Sequence, residues 1–242
     1  MAQNGNDHLI LICGESSTGK SASLSFLDNP EGVVYLNCEA GKKLPFQSKF
    51  KEVIVTDPYV VETAFTQAEE HSEIHTIIID SLTFLMDMYE SLYVIGSTNT
   101  MKAWSDYAQF FKNLMQQRVA PSSKNVIFTA HTLATLNELE MVMEKKIPIK
   151  GALKNNGVEA YFSTIVSAKK LPLTKLDPYQ NSLLTVNPEE EMLGYKYVYQ
   201  TRVTKETVNE RIRSSMGMWS INETYIDNNA QFLLNKLHEY YN

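Results

Sequence analysis

The chain has 242 residues with 28 acidic and 22 basic side chains, a formal net charge of −6 with neutral histidines, 43% apolar and 21% charged residues. At roughly 100–200 residues per domain this length can bury a sizeable core, and the composition excludes collagen-like, low-complexity and wholly disordered chains. No apolar run approaches the ~18 residues of a membrane span, and residues 1–7 are polar with no basic or signal-like segment, so the expectation is a soluble cytoplasmic protein with no membrane partner.

Short apolar runs alternate with longer helical patterns, the rhythm of a parallel sheet with crossover helices. Strands are predicted at 8–13, 32–38, 52–55, 75–79 and 125–129, and helices at 20–27, 60–71, 81–93 and 103–119. Trp104, Tyr107, Ala108, Phe111, Leu114 and Met115 recur near helical spacing and read as core. Cys13 and Cys38 lie inside apolar runs without CxxC spacing, which reads as two buried free thiols. Pro121 to Lys124 is a turn. Residues 133–159 are expected to be a long loop broken by Pro148, Gly151 and Asn155-Asn156-Gly157. Further strands are predicted at 161–168 and 195–203, separated by a Pro-bearing excursion over 171–191, and 229–241 reads as an amphipathic helix. The fold class is α/β, a mostly parallel central sheet flanked by helices, with extra C-terminal strands and a C-terminal helix. One domain over 1–242 is expected, with a core at about 8–170 and an extension of the same sheet at about 171–242.

Gly14-Glu15-Ser16-Ser17-Thr18-Gly19-Lys20-Ser21 fits G-x-x-x-x-G-K-[ST], follows an apolar strand and precedes a helix-like stretch from Ser21 to Leu27, so Gly14 to Ala22 are the candidate nucleotide-binding residues. Glycines let backbone N–H groups curl around phosphate oxygens, Lys20 spans the β and γ phosphates, and Ser21 offers a hydroxyl to Mg²⁺. Thr76-Ile-Ile-Ile-Asp80 ends an apolar strand in a carboxylate, suited either to Mg²⁺ or to capping the next helix. Glu39 closes the second strand, 19 positions after Lys20, and reads as a base for the attacking water or as a solvated loop acid. His131 closes the fifth strand as a γ-phosphate sensor or an ordinary buried histidine.

The order GESSTGKS, VVYLNCEAG, EVIVTDP, HTIIIDSLTFL, NVIFTAHT resembles the RecA-type ATPase core, and the chain is similar to the short phage nucleotide-binding and single-strand annealing recombinase proteins that carry this core alone. The resemblance covers about residues 8–170 well. It implies ATP and Mg²⁺ as cofactors, Lys20 and Ser21 on nucleotide and metal, Asp80 on the metal, Glu39 as catalytic base and His131 as the sensor leading into a DNA-binding loop. Such loops would fall at about 132–157 and 96–102. Only about seven residues precede the first strand, so the resemblance implies a chain lacking the polymerisation segment of bacterial RecA and its DNA-gathering C-terminal domain. That leaves rings, short filaments or assembly on DNA.

Lys145, Lys146, Lys150 and Lys154 form a candidate phosphate track, offset by Glu138, Glu140 and Glu144 just upstream. Lys169, Lys170, Arg211 and Arg213, with Arg202, are candidate cations supplied to a neighbouring subunit's transition state, as RecA-like oligomers do. The expectation is a DNA-stimulated ATPase, homo-oligomeric, acting on single-stranded DNA in phage recombination or replication. Two rivals stand beside it. One is a nucleotide-switched adaptor or loader for a single-strand-binding or replisome protein. The other is a P-loop kinase, for which the arginine-rich lid is absent from the sequence.

Overall fold

The computed structural model describes residues 5–138 and 141–242; residues 1–4 of the polar start and Glu140 of the acidic run lie outside the described residues. The five predicted apolar runs form strands β1 (Leu9–Gly14), β2 (Val33–Asn37), β3 (Lys51–Ile54), β4 (Thr76–Asp80) and β5 (Asn125–His131). Beyond them come a hairpin, β6 (Leu133–Asn137) and β7 (Val142–Lys146), and then β8 (Thr164–Pro172), β9 (Tyr195–Gln200) and β10 (Tyr225–Asp227). Eight strands make one sheet in the order β10-β9-β8-β1-β5-β4-β2-β3. From β8 to β3 the neighbours are parallel, while β9 and β10 extend the edge antiparallel.

Successive residues of each central strand feed opposite faces, so both faces must be apolar. Leu11, Leu36, Ile77, Ile79 and Phe128 face one core. It is covered by α1 (Tyr59–Glu70), α2 (Leu82–Tyr89) and α3 (Thr100–Asn113), which bury residues such as Phe65, Leu85 and Phe111. Ile10, Ile12, Val33, Ile78 and Ile127 face the other core, closed by Leu24 and by Leu233, Leu234 and Leu237. Two short helices, α4 (Leu153–Asn156) and α5 (Pro188–Leu193), precede the C-terminal α6 (Ala230–Tyr241), which carries those three leucines. Parallel register brings the carboxyl ends of the strands together, with Gly14 beside His131 and Asn37 beside Asp80. In open α/β sheets that edge is where ligands bind.

Several elements differ from expectation. The helix expected over 20–27 is only a 3₁₀ segment, Ala22–Phe26, because Ser23 and Ser25 turn their hydroxyls back onto the carbonyls of Lys20 and Ala22 and compete with α-helical bonding. The helices expected over 81–93 and 103–119 each loosen into a wider π turn, at Glu90–Val94 and Leu114–Val119. The long loop at 133–159 contains the β6–β7 hairpin and α4. Leu133, Leu136 and Met143 are exposed on that ribbon, so it lacks the buried face that writes an alternating pattern. The excursion at 171–191 is structured as well. Its Leu176 and Leu184 pack on Val198 and Tyr225, and α5 opens with a capping box between Asn187 and Glu190. Both cysteines are buried free thiols. Among the described residues no helix is long and apolar enough to cross a membrane.

Phe128 is fully buried and meets Phe162 edge-to-face at 5.3 Å. Phe128→Ala should cost about 3–5 kcal/mol, read as a lower urea midpoint at unchanged slope.

Candidate functional site

The chain leaves β1 at Gly14, which has no room for a side chain: a Cβ there would stand 2.6 Å from Thr18 Oγ1 and 2.7 Å from the Ala168 carbonyl oxygen. Gly19 sits at φ +87°, and a Cβ there would meet Asn228 Nδ2 at 2.6 Å. Ser17 also takes a left-handed conformation, and Thr18 Oγ1 donates to the Glu15 carbonyl at 2.9 Å. The result is a tight cradle of the kind whose backbone groups surround phosphate oxygens. Lys20 folds back across it, its Nζ donating to the carbonyls of Gly14 at 3.0 Å and Glu15 at 2.8 Å. Burial pushes the Lys20 ammonium below its ordinary value, opposed by Asp80 and Glu39.

Asp80, at the end of β4, is 1% exposed. Its Oδ2 accepts from Ser21 Oγ at 2.8 Å and from the Tyr35 hydroxyl at 2.8 Å, and its Oδ1 accepts from Thr129 Oγ1. No capping bond runs from Asp80 to α2; that helix begins after Ser81 without a side-chain cap. Burial, then Asp80 beside it, pushes the Tyr35 phenol far above its ordinary value, so the ring remains a donor.

Glu39 is likewise not a solvated loop acid, its side chain being 8% exposed. Its Oε1 accepts from His131 Nε2 at 3.2 Å and its Oε2 pairs with Lys42 Nζ at 2.7 Å. The His131 bond, supported by Lys42 and working against burial, brings the Glu39 carboxyl down to about 2. Asn37 braces the turn, accepting from the Glu39 backbone N–H at 3.1 Å while its amide donates to Glu52 at 2.8 Å. The histidine is positioned by β5, its backbone N–H donating to Thr83 Oγ1 at 2.9 Å, and its ring packs edge-on to Phe84.

These groups line one cavity of about 420 Å³, with walls from residues 16–22, Tyr35, Glu39, Asp80 and His131, and from residues 42–45, Tyr197 and Asn228. That volume suits a nucleotide. The donor set suits Mg²⁺, since Ser21 and Asp80 offer hard oxygens side by side and phosphate oxygens and water would complete the shell. The predicted pairs Lys20 with Ser21 and Glu39 with His131 are thus brought together around Asp80.

The other candidates are scattered. Lys145 turns toward the phosphate loop, 2.9 Å from Glu15 and 3.8 Å from Glu210, so the four lysines do not make a single track. Lys146, Lys150 and Lys154 line a separate groove of about 430 Å³ together with Arg211. Lys150 pairs with Glu90 at 2.7 Å and Lys146 lies 3.7 Å from Glu144. Among the candidate trans-acting cations, Lys169 is held by Glu210 at 2.7 Å and Lys170 stands 3.7 Å above the Tyr195 ring. Arg211 is 3.5 Å from Glu159, Arg213 pairs through its backbone with Ile165, and Arg202 donates to the Trp219 carbonyl at 2.6 Å. None of the five lines the nucleotide cavity of this chain.

Sequence reasoning missed Tyr35, Thr129, Lys42, Tyr197 and Asn228. A hydroxyl inside the apolar runs of β2 and β5 was a usable signal for the first two. Asn228 carried none, because it reaches Gly19 only through the β9–β10 extension, donating Nδ2 to the Gly19 carbonyl at 2.9 Å.

The depressed Glu39 carboxyl has a sign. Its ion pair stabilises the fold fully above the unfolded value near 4.5 and loses that contribution as pH falls toward about 2. The melting temperature of the native protein should therefore exceed that of Glu39→Gln most above pH 5, and the gap should shrink between pH 4.5 and 2.5 in a calorimetric series.

A comparison with curated proteins returns no match. A family model described as an AAA domain matches residues 7–202, which takes in the phosphate loop, Glu39, Asp80, His131 and every parallel strand of the sheet. With that match and this site, the chain belongs to the AAA domain family of P-loop ATPases.

Proposed function

We propose that this protein is a RecA-like member of that family which hydrolyses ATP and couples turnover to single-stranded DNA, in phage recombination or replication by annealing or strand exchange. The observation that carries the reading is the Glu39–His131 contact. His131 ends β5, and the chain passes within two residues into the β6–β7 hairpin and on to the groove lined by Lys146, Lys150 and Lys154. A change at the γ-phosphate has a direct covalent route to that groove.

In this reading the phosphate loop binds the triphosphate and Lys20 exchanges its carbonyl partners for β- and γ-phosphate oxygens. Ser21 and Asp80 would hold Mg²⁺, which would supply positive charge against the triphosphate. Glu39 orients the attacking water and accepts its proton. With both oxygens engaged it is a weak base, and it becomes a better one when His131 and Lys42 turn to the γ-phosphate. Lys170, Arg211 and Arg213 serve a neighbouring subunit in a ring or short filament, in the cytoplasm of a host cell, while Lys169 stays on Glu210 in a mostly buried pair. Exposed Leu133, Leu136, Met141 and Met143 on the hairpin and the net charge of −6 favour, as second reading, a nucleotide-switched adaptor for a single-strand-binding or replisome protein.

Phosphate release from ATP is measured with and without single-stranded DNA. DNA should stimulate it, Lys20→Ala should abolish it, and Glu39→Gln should lower kcat by about 10²–10⁴-fold with ATP binding retained. Replacing Lys146, Lys150 and Lys154 together by Ala should weaken DNA binding and flatten its salt dependence, since each phosphate contact adds ~0.7 to the log–log slope for single strands. Turnover indifferent to DNA, with affinity insensitive to salt, overturns the DNA reading in favour of the adaptor.

A further inference from the structure

The Asp80 carboxylate has four lone-pair positions, and three of them are taken by hydroxyl donors. Ser21 and Tyr35 both donate to Oδ2, at 2.8 Å each, and Thr129 donates to Oδ1. Among the described residues the position left open is on Oδ1. Tyr35 comes from β2, which is adjacent to β4 and separated from the phosphate-loop strand β1 by β5 and β4, and is 2% exposed. Its ring is fixed from behind by Phe50, at 6.2 Å between centroids, which in turn meets Phe46 edge-on at 5.9 Å. A phenol so anchored has little freedom to follow the carboxylate, so the carboxylate must conform to the phenol.

We infer that Tyr35 is a positioning residue for the divalent cation: its hydroxyl occupies Oδ2 beside Ser21 and so fixes the plane of Asp80, presenting the free lone pair of Oδ1 to the metal or to its water. Ser21 needs its proton on Asp80 in order to turn a lone pair toward the metal, and Tyr35 secures the same oxygen without competing for the metal side. Partners of this kind, which hold a ligand rather than the ion, set metal affinity over about one to two orders of magnitude. The inference rests on Ser21 and Asp80 as the metal pair and is independent of the DNA reading.

The test uses Mn²⁺ as the probe, its affinity for the full-length protein measured by electron paramagnetic resonance in the presence of a non-hydrolysable ATP analogue. Tyr35→Phe keeps the ring and removes only the hydroxyl, and a melting curve checks that it folds. The expected result is a Kd for Mn²⁺ raised about tenfold, with binding of the nucleotide in EDTA unchanged. The Mg²⁺ concentration for half-maximal hydrolysis should rise by the same factor, with kcat restored at saturating Mg²⁺. Unchanged metal affinity in Tyr35→Phe, while Asp80→Asn loses it, overturns the role of Tyr35. Unchanged affinity in Asp80→Asn overturns the metal pair itself.

Discussion

A carboxylate buried at the carboxyl edge of an apolar sheet is the constraint around which the molecule is arranged. An unpaired ion in such a place would cost several kcal/mol or give up its charge. Asp80 draws a hydroxyl from each of three directions: Ser21 from the phosphate loop, Tyr35 from β2 and Thr129 from β5. Those bonds tie together the strands on both sides of β4 and the loop beyond β5. Register and site are therefore one problem, because a slip of one residue in β2 or β5 would turn Tyr35 or Thr129 to the opposite face. Loss of either hydroxyl leaves the carboxylate short of a partner in a dry place, where a missing partner matters more than a present one helps.

Much of this was legible in the sequence, for physical reasons. Parallel strands buried on both faces are short apolar runs, and 32–38, 75–79 and 125–129 stand out as such. The phosphate loop is legible because glycine and lysine are demanded at fixed spacing by sterics and charge. What stayed hidden has equally physical causes. The β6–β7 ribbon has no buried face, so Leu133 to Asn137 carries no alternation. The segment after Lys20 has helical composition, but serine hydroxyls bonded to nearby carbonyls override it. The three-residue β10 is too short to leave a pattern. Asn228 is a site residue through tertiary pairing alone, and Tyr35 lies in an apolar run where an aromatic ring serves the core as well as it serves a site.

The positive charge is also organised differently from its appearance as a run. Lys145, Lys150 and Lys169 are each matched with a glutamate, at 2.7–2.9 Å, yet the pairs are not equivalent. Lys150 is largely exposed, and exposed pairs contribute roughly 0–1 kcal/mol, so a polyanion can take over that lysine at little cost. Lys169 and Glu210 are mostly buried, and separating them would strand two charges. Lys145 stands between these extremes, touching both Glu15 of the phosphate loop and Glu210. The segment from Lys145 to Lys150 is thus fastened to the nucleotide site at its first residue and left replaceable in its contact with Glu90 at its last.

The amide of Asn228 braces Gly19 from 209 residues further along the chain. On a ribosome adding ~5–20 residues per second, that separation amounts to roughly 10–40 s between the appearance of the phosphate loop and the arrival of its brace. During that interval the β1 segment has been synthesised while the β9–β10 flank of the cavity does not yet exist. The wall of the cavity built by Tyr197 and Asn228 is therefore completed only when synthesis is nearly over.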